Sequence, residues 1–114
     1  MQSATLAKTN WQDLLDKVSQ RSTSQKIAIQ INTPSIGAQT EAEQVQFRGI
    51  TYDPKDDAVS IETDSLEHFV RHPSKVEFAY EGTGLICIEI VDGDGAAHLV
   101  NFTPPLSFPE LERL

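Results

Sequence analysis

The sequence is poor in basic residues, and its charge is strongly of one sign. Nine lysines and arginines stand against seventeen aspartates and glutamates, which gives a formal net charge of −8 at neutral pH. Nucleic-acid phosphates and anionic lipid headgroups attract positively charged protein surfaces. We therefore expect neither a nucleic-acid partner nor a membrane partner for this chain.

Cysteine is almost absent, and long apolar runs are lacking. Cys87 is the single cysteine, so no disulfide can form within the chain, and nothing demands an oxidising compartment. No apolar run approaches the ~18 residues of a membrane-spanning helix, and the first residues lack the basic start of a signal peptide. These absences predict a cytoplasmic protein that is stabilised by packing.

The length of 114 residues fits one domain, which we expect to span residues 1–114. Residues 1–8 are polar and are expected to be disordered. Residues 103–114 form a proline-containing C-terminal tail. Because proline lacks an N–H donor, this tail is not expected to be a central strand, but its apolar side chains favour docking on the domain.

One helix is predicted near the N-terminus. Its apolar side chains recur at i, i+3, i+4 and i+7 and form one stripe, made of Trp11, Leu14, Leu15 and Val18. Thr9 or Asn10 can cap its start, and Gln12 follows Thr9 at the spacing of a capping box. The helix should end near residues 20–22, with Trp11 and Leu15 facing a sheet.

After this helix the apolar period changes from 3.6 to 2, which indicates strands. Short strands are predicted in residues 27–31, 45–50 and 58–62, followed by a three-stranded antiparallel meander in residues 75–102. Residues 36–43 fit a polar edge strand or a loop, and residues 66–72 fit a strand or a helical turn. The fold class is α+β: one N-terminal helix packed on a mostly antiparallel sheet, or a small barrel, of about six strands.

The sequence around Cys87 predicts a strand with apolar side chains on both of its faces. Ile86, Ile88 and Ile90 alternate with Leu85, Cys87 and Val91. A single helix can cover only one face, and the tail could cover part of the other. If the tail does not, a second copy of the chain is the expected cover, so we predict a homodimer.

Three histidines are the most obvious metal-ligand candidates, but their pattern is incomplete. His68 and His72 are four residues apart, so they share a face on a helix or a strand. A zinc site needs at least three protein ligands, and the third would have to be Glu67, Glu77 or the distant His98. We therefore expect no metal site.

The segment 92–95, Asp-Gly-Asp-Gly, has the opening of a calcium loop. The twelfth position of such a loop requires a glutamate, and here it is Thr103. A hairpin turn is the better interpretation.

No pattern of catalytic residues is present. The chain contains neither the Gly-x-Ser-x-Gly nucleophile elbow nor a phosphate-binding Gly-x-x-x-x-Gly-Lys loop. Burial within an isoleucine-rich strand would raise the pKa of Cys87 and make its thiol inert. We expect no catalytic residue and no cofactor.

Short segments along most of the chain resemble a small bacterial family catalogued as a domain of unknown function. The resemblance rests on Trp11 with Leu14 and Leu15, on residues 36–42 and 47–53, on the pair His72-Pro73, and on residues 94–95 and 100–102. It implies a stand-alone bacterial cytoplasmic domain. It implies no activity, cofactor or catalytic residue.

The leading expectation for function is a non-enzymatic protein-binding or regulatory module, because a small sheet has open edges and an incompletely covered face. The alternative is a small-ligand-binding domain or small enzyme with a pocket between helix and sheet. Such a pocket would gather Arg48, His68, Arg71 or His72 beside a carboxylate. A flat apolar patch would favour protein binding instead.

Overall fold

A computed structural model describes residues 1–114 and contains one α-helix, eight strands and two short 3-10 helices. In chain order these elements are β1 (Gln2–Thr5), a 3-10 helix (Lys8–Asn10), α1 (Trp11–Arg21), β2 (Lys26–Thr33), β3 (Gly37–Asp53), β4 (Ala58–Thr63), β5 (Glu67–Arg71), β6 (Lys75–Glu81), β7 (Gly84–Val91), β8 (Ala97–Ser107) and a 3-10 helix (Pro109–Arg113).

The eight strands form one sheet in the order β1-β6-β7-β8-β2-β3-β4-β5, and all neighbours are antiparallel. The α+β class with one helix near the N-terminus is confirmed, as is the meander of β6, β7 and β8. The expected strand count of about six was too low. β1 has a polar sequence without alternation, and the segment of β5 also fitted a helical turn, so hydrophobic periodicity could not establish either strand.

β3 divides the sheet into two sections because it changes partner along its 17 residues. Residues 37–46 pair with β2, and residues 47–53 pair with β4. We call β1, β6, β7, β8, β2 and the first half of β3 the large section, and the second half of β3 with β4 and β5 the small section. The ambiguous residues 36–43 thus belong mostly to a strand.

The core is a single cluster of 24 buried apolar side chains. The inner face of the large section contributes alternate residues of each strand, such as Ile29, Val100, Ile88 and Phe78, and all four are fully buried. The small section and α1 supply the opposite wall. The apolar side chains whose alternation predicted the strands therefore form one hydrophobic core.

α1 packs on the second half of β3, as the apolar stripe predicted. Trp11 lies edge-on to Tyr52 with ring centroids 5.2 Å apart, and Leu15 is fully buried. The predicted capping box is wrong, because Asn10 precedes the helix without a side-chain cap hydrogen bond. A 3-10 turn over Lys8–Asn10 leads directly into the helix instead.

A single serine joins α1 to the sheet. The hydroxyl of Ser19 accepts the N–H of Ile50 at 2.8 Å and donates to the carbonyl of Ile50 at 2.6 Å. At this point β3 has β4 on one side but no longer has β2 on the other. Ser19 therefore takes the place of a missing neighbouring strand.

Residues 1–8 are ordered, contrary to the expected disordered N-terminus. Gln2–Thr5 form β1, which pairs with β6 at the edge of the large section. Leu6 is buried, and its carbonyl accepts the indole N–H of Trp11 at 3.2 Å. Main-chain pairing, which polar residues make as well as apolar ones, holds this segment.

The tail differs from the expected layout in one respect. Residues 103–107 belong to β8, and Leu106 faces Leu85 of β7. The prolines at 104 and 105 are tolerated because β2 ends its pairing with β8 at Thr103, so this part of β8 has no neighbour on that side. Beyond it, the ring of Phe108 packs edge-on against that of Phe78 on the inner face.

A β-bulge in β7 changes the expected alternation. Adjacent residues Ala79 and Tyr80 of β6 pair with Cys87 and Leu85, so β7 has one extra residue there. Leu85 consequently lies on the buried face with Ile88 and Ile90, while Ile86 is only half-buried. The prediction that Ile86 shares the face of Ile88 and Ile90, and that Leu85 points to the opposite face, was therefore wrong. A bulge adds one residue to one strand and reverses the parity of every residue beyond it.

We expect Leu15→Ala to lower the free energy of unfolding by roughly 2–5 kcal/mol, because it removes buried methyl groups and leaves a cavity. Urea unfolding followed by the emission of Trp11 measures this cost. Gln20→Ala, an exposed change on the same helix, is the control and should have little effect. Equal stability of the two variants would contradict the packing described.

We expect Ser19→Ala to cost roughly 1–3 kcal/mol, because it leaves the N–H and the carbonyl of Ile50 without their partner. Ser24→Ala, which changes an exposed serine, is the matched control. The same urea titration compares them. A Ser19→Ala variant as stable as its control would show that Ile50 does not depend on this hydroxyl.

Candidate functional site

The four candidate pocket residues are separated in the structure. Arg71 and His72 lie together at the end of β5, where they line a cleft with Asp92 and Asp94. His68 points inward from β5 and is half-buried, and Arg48 is exposed on β3 and lines none of the three concavities of the surface. The expected pocket between helix and sheet is not one of these concavities.

The cleft lies instead between β5 and the turn that joins β7 to β8, and we call it the β5 cleft. It has a volume of about 630 Å³, and its lining residues are Phe69, Arg71, His72, Asp92, Gly93 and Asp94. Phe69 is the one apolar side chain among them, and the guanidinium carbon of Arg71 lies 5.3 Å from its ring centroid. The cleft is open to solvent, and four of its six lining residues carry ionisable side chains.

His72 is fixed by the turn between β3 and β4. Its N–H donates to the carbonyl of Asp57 at 2.8 Å, and its Nδ1 lies 3.4 Å from the carboxylate of Asp57. The hydroxyl of Tyr52 donates to the same carboxylate at 2.8 Å, and this bond holds the pKa of Asp57 below its usual value. These bonds hold His72 at the cleft and give Asp57 a structural role.

A chain of three side chains connects β5 to β8. Nε2 of His68 lies 2.9 Å from Nδ1 of His98, and Nε2 of His98 lies 2.8 Å from a carboxylate oxygen of Asp92. The other oxygen of Asp92 accepts the N–H groups of Asp94 and Ala96 at 2.9 and 3.0 Å. The Asp92–His98–His68 chain therefore binds the edge of the small section to the β7–β8 turn.

The hydrogen-bond roles assign the protons of this chain when both rings are neutral. An ionised carboxylate only accepts, so Nε2 of His98 carries the hydrogen that points at Asp92. Nδ1 of His98 is then an acceptor, and Nε2 of His68 must donate to it. The Asp92–His98–His68 chain can take up one further proton, on Nδ1 of His68. If Nδ1 of His98 were protonated as well, its N–H would point at the N–H of His68 Nε2.

Burial and charge shift the pKa values of this chain. Burial lowers the pKa of His68, the charge of His98 lowers it further, and Glu41 partly offsets both. Burial opposes ionisation of Asp92, but its hydrogen bonds from His98 and from two main-chain N–H groups outweigh burial and lower its pKa. The folded protein therefore favours a neutral His68 at one end of this chain and an ionised Asp92 at the other.

Sequence reasoning considered His98 only as a distant third metal ligand. A signal for its position was present, because His98 shares the inward parity of Val100 and Phe102 on β8. What the sequence could not show is that β5 lies over β8. His68 and His98 bond each other directly, and no group of three or more His, Cys, Asp or Glu side chains is arranged to hold a metal ion.

Cys87 is half-buried on the outer side of the large section. Burial raises the pKa of its thiol to about 11, and the nearby Glu89 adds to this shift. The thiol therefore remains protonated at neutral pH, and a protonated thiol is a poor nucleophile.

The outer face of the large section has no cover from the rest of the chain. Both α1 and the tail pack on the inner side, against β3 and Phe78 respectively. Half-buried side chains on this outer face include both apolar and polar residues, among them Ala28, Gln30, Ala79, Cys87, Glu89, Val91, Leu99 and Asn101. Lys75 lies at its β6 side, within 3.7 Å of Glu77 and 3.4 Å of Glu89.

We expect the free energy of unfolding to decrease as the pH falls from about 6.5, the ordinary pKa of histidine, towards 5. The reason is that burial holds the pKa of folded His68 below that ordinary value. In this window the unfolded chain binds a proton that the folded chain takes up less readily, so protonation favours unfolding. Carboxylates with a lowered pKa, such as Asp92, lose their contribution only at lower pH. Urea unfolding at a series of pH values measures the slope.

His68→Gln removes this titrating group and keeps a donor towards His98, so the slope between pH 6.5 and 5 should become smaller. His72→Asn, which removes an exposed imidazole at a position of positive φ, is the control and should keep the slope. The reverse result would show that His68 does not cause the pH dependence.

No helix of the structure combines the length and the apolar composition that crossing a bilayer requires. A search of solved structures finds no significant match. An uncharacterised protein of the bacterium Aquifex aeolicus is 27% identical over 111 residues, which cover 96% of this chain and all of that protein. A family model described as a family of unknown function, DUF5335, matches residues 2–111. The chain therefore belongs to the DUF5335 family, as the resemblance of its short segments indicated.

Proposed function

We propose that this chain is a non-enzymatic, cytoplasmic protein-binding module that forms a homodimer through the outer face of its large section. The observation that carries the proposal is the location of α1 and the tail, both of which pack on the inner side. The outer face has no other cover within the chain. Apolar side chains on an open sheet face favour cover by another layer.

The chemistry of the outer face suits a second copy of the chain. Its β2, β8 and β7 part presents Ala28, Leu99 and Cys87, with Glu89 of β7 directly opposite Leu99. Lys75 of β6 lies within 3.7 Å of Glu77 and 3.4 Å of Glu89, so its positive charge offsets part of theirs. Two copies can therefore meet across Ala28, Cys87 and Leu99, although each carries a net charge of −8.

The alternative, a small-ligand-binding domain or small enzyme, has the β5 cleft as its support. Arg71, His72 and Asp92 meet there, as the alternative required of its candidate residues. Small-molecule sites are typically enclosed and lined mostly by apolar side chains. Phe69 is the single apolar lining residue of this open cleft, so protein binding is the better supported function.

We expect sedimentation equilibrium at micromolar concentration to give the mass of two chains. The mass should persist in high salt, because screening weakens the repulsion between acidic copies and leaves apolar contacts intact. Leu99→Glu places a charge at the centre of the outer face and should give the mass of one chain.

Ile36→Glu is the matched control for this experiment. Ile36 is 68% exposed at the tip of the β2–β3 hairpin, so the same kind of change there should leave the dimer intact. A wild-type mass of one chain at both low and high salt would overturn the proposal.

A further inference from the structure

The free side of β5 is an open sheet edge. His72 N–H donates to the carbonyl of Asp57, and Thr63 N–H donates to that of Leu66, at 2.8 and 2.9 Å. Hydrogen-bonded pairs recur at every second residue of an antiparallel ladder, so the main-chain groups of Glu67 and Phe69 point away from β4.

Only one end of this edge is closed by the rest of the chain. The carbonyl of Arg71 accepts the N–H of Gly93 at 3.3 Å. The main-chain groups of Glu67 and Phe69 make no hydrogen bond outside the β4–β5 ladder. Unpaired groups on an edge strand are a template on which another chain can add a strand.

An aromatic side chain marks the same edge. Phe69 is 44% exposed in the middle of a strand, whereas Met1, Ile36 and Leu114, the other exposed large apolar residues, lie at chain ends or a hairpin tip. The β5 cleft lies on one side of Phe69. On the other side of Phe69 a second concavity, of about 400 Å³, lies on the outer surface of the small section.

The charge around Phe69 is strongly acidic. Six carboxylates line the two concavities, against one arginine, Arg71; they belong to Asp53, Asp56, Glu62, Glu67, Asp92 and Asp94. A basic partner is therefore attracted, whereas a second copy would bring the same acidic edge and be repelled.

We infer that the edge of β5 binds an extended, lysine- or arginine-rich segment of a partner protein as an added strand. The main chain of that segment pairs with Glu67 and Phe69. Its side chains alternate between the two faces, so basic residues at every second position lie beside Phe69 and above the carboxylates of the small section. This surface differs from the proposed dimer face, so the inference holds whether or not the chain dimerises.

The test uses a fluorescein-labelled octapeptide of alternating lysine and threonine, titrated with the full chain at low salt and followed by fluorescence anisotropy. We expect saturable binding that weakens as salt is added. A glutamate–threonine octapeptide should not bind. The same lysine–threonine peptide methylated at every backbone nitrogen keeps its charge but cannot form a strand, and should bind at least about tenfold more weakly.

Two variants of the protein place the binding on β5. Phe69→Pro removes an outward-pointing N–H donor and the aromatic ring without removing a donor of the β4–β5 ladder, and Glu67→Lys reverses one charge at the edge. Each should weaken binding of the unmethylated peptide about tenfold, whereas Ile36→Glu at the tip of the β2–β3 hairpin should not. Trp11 emission reports whether each variant is folded, and Glu67→Lys with the methylated peptide remains decisive if Phe69→Pro does not fold.

Three results would overturn the inference. They are absence of binding by the lysine–threonine peptide, equal binding of its methylated form, and unchanged binding by folded Phe69→Pro and Glu67→Lys proteins. Equal binding of the two peptides would show a purely electrostatic contact in place of an added strand.

Discussion

The change of partner within β3 is the constraint on which the rest of the structure depends. One strand of 17 residues pairs with β2 along its first half and with β4 along its second. Each half consequently has a free edge. The helix supplies the missing partner of the second half at Ile50 through the hydroxyl of Ser19. The same division lets the small section fold over the core, so that His68 of β5 reaches His98 of β8.

Local patterns in the sequence predicted the elements that bury one regular apolar face. The spacing of Trp11, Leu14, Leu15 and Val18 located α1, and the isoleucines located β2 and β7. β1 was missed because main-chain bonds hold its polar residues. The bulge in β7 was missed because an inserted residue leaves the composition of the strand unchanged while it reverses which side chains are buried.

The candidate site was predictable only in part, because it depends on contacts between residues far apart in the chain. The sequence singled out His68, Arg71 and His72: Arg71 and His72 line the β5 cleft, whereas His68 points inward to His98. It could not indicate that His98 would meet His68, since the two are 30 residues apart and belong to different sections of the sheet. Arg48 is exposed on β3 and lines none of the concavities that the other candidates line.

The two edge strands of the sheet are β1, in the large section, and β5, in the small section. β5 carries an exposed aromatic side chain and unpaired main-chain groups, and the surface around it is acidic. Natural sheets commonly protect their edges with charges, which repel identical edges. Around β5 the carboxylates oppose pairing with another copy, yet the same charges attract a basic chain. A single distribution of charge can therefore prevent aggregation through β5 and select the partner that binds there.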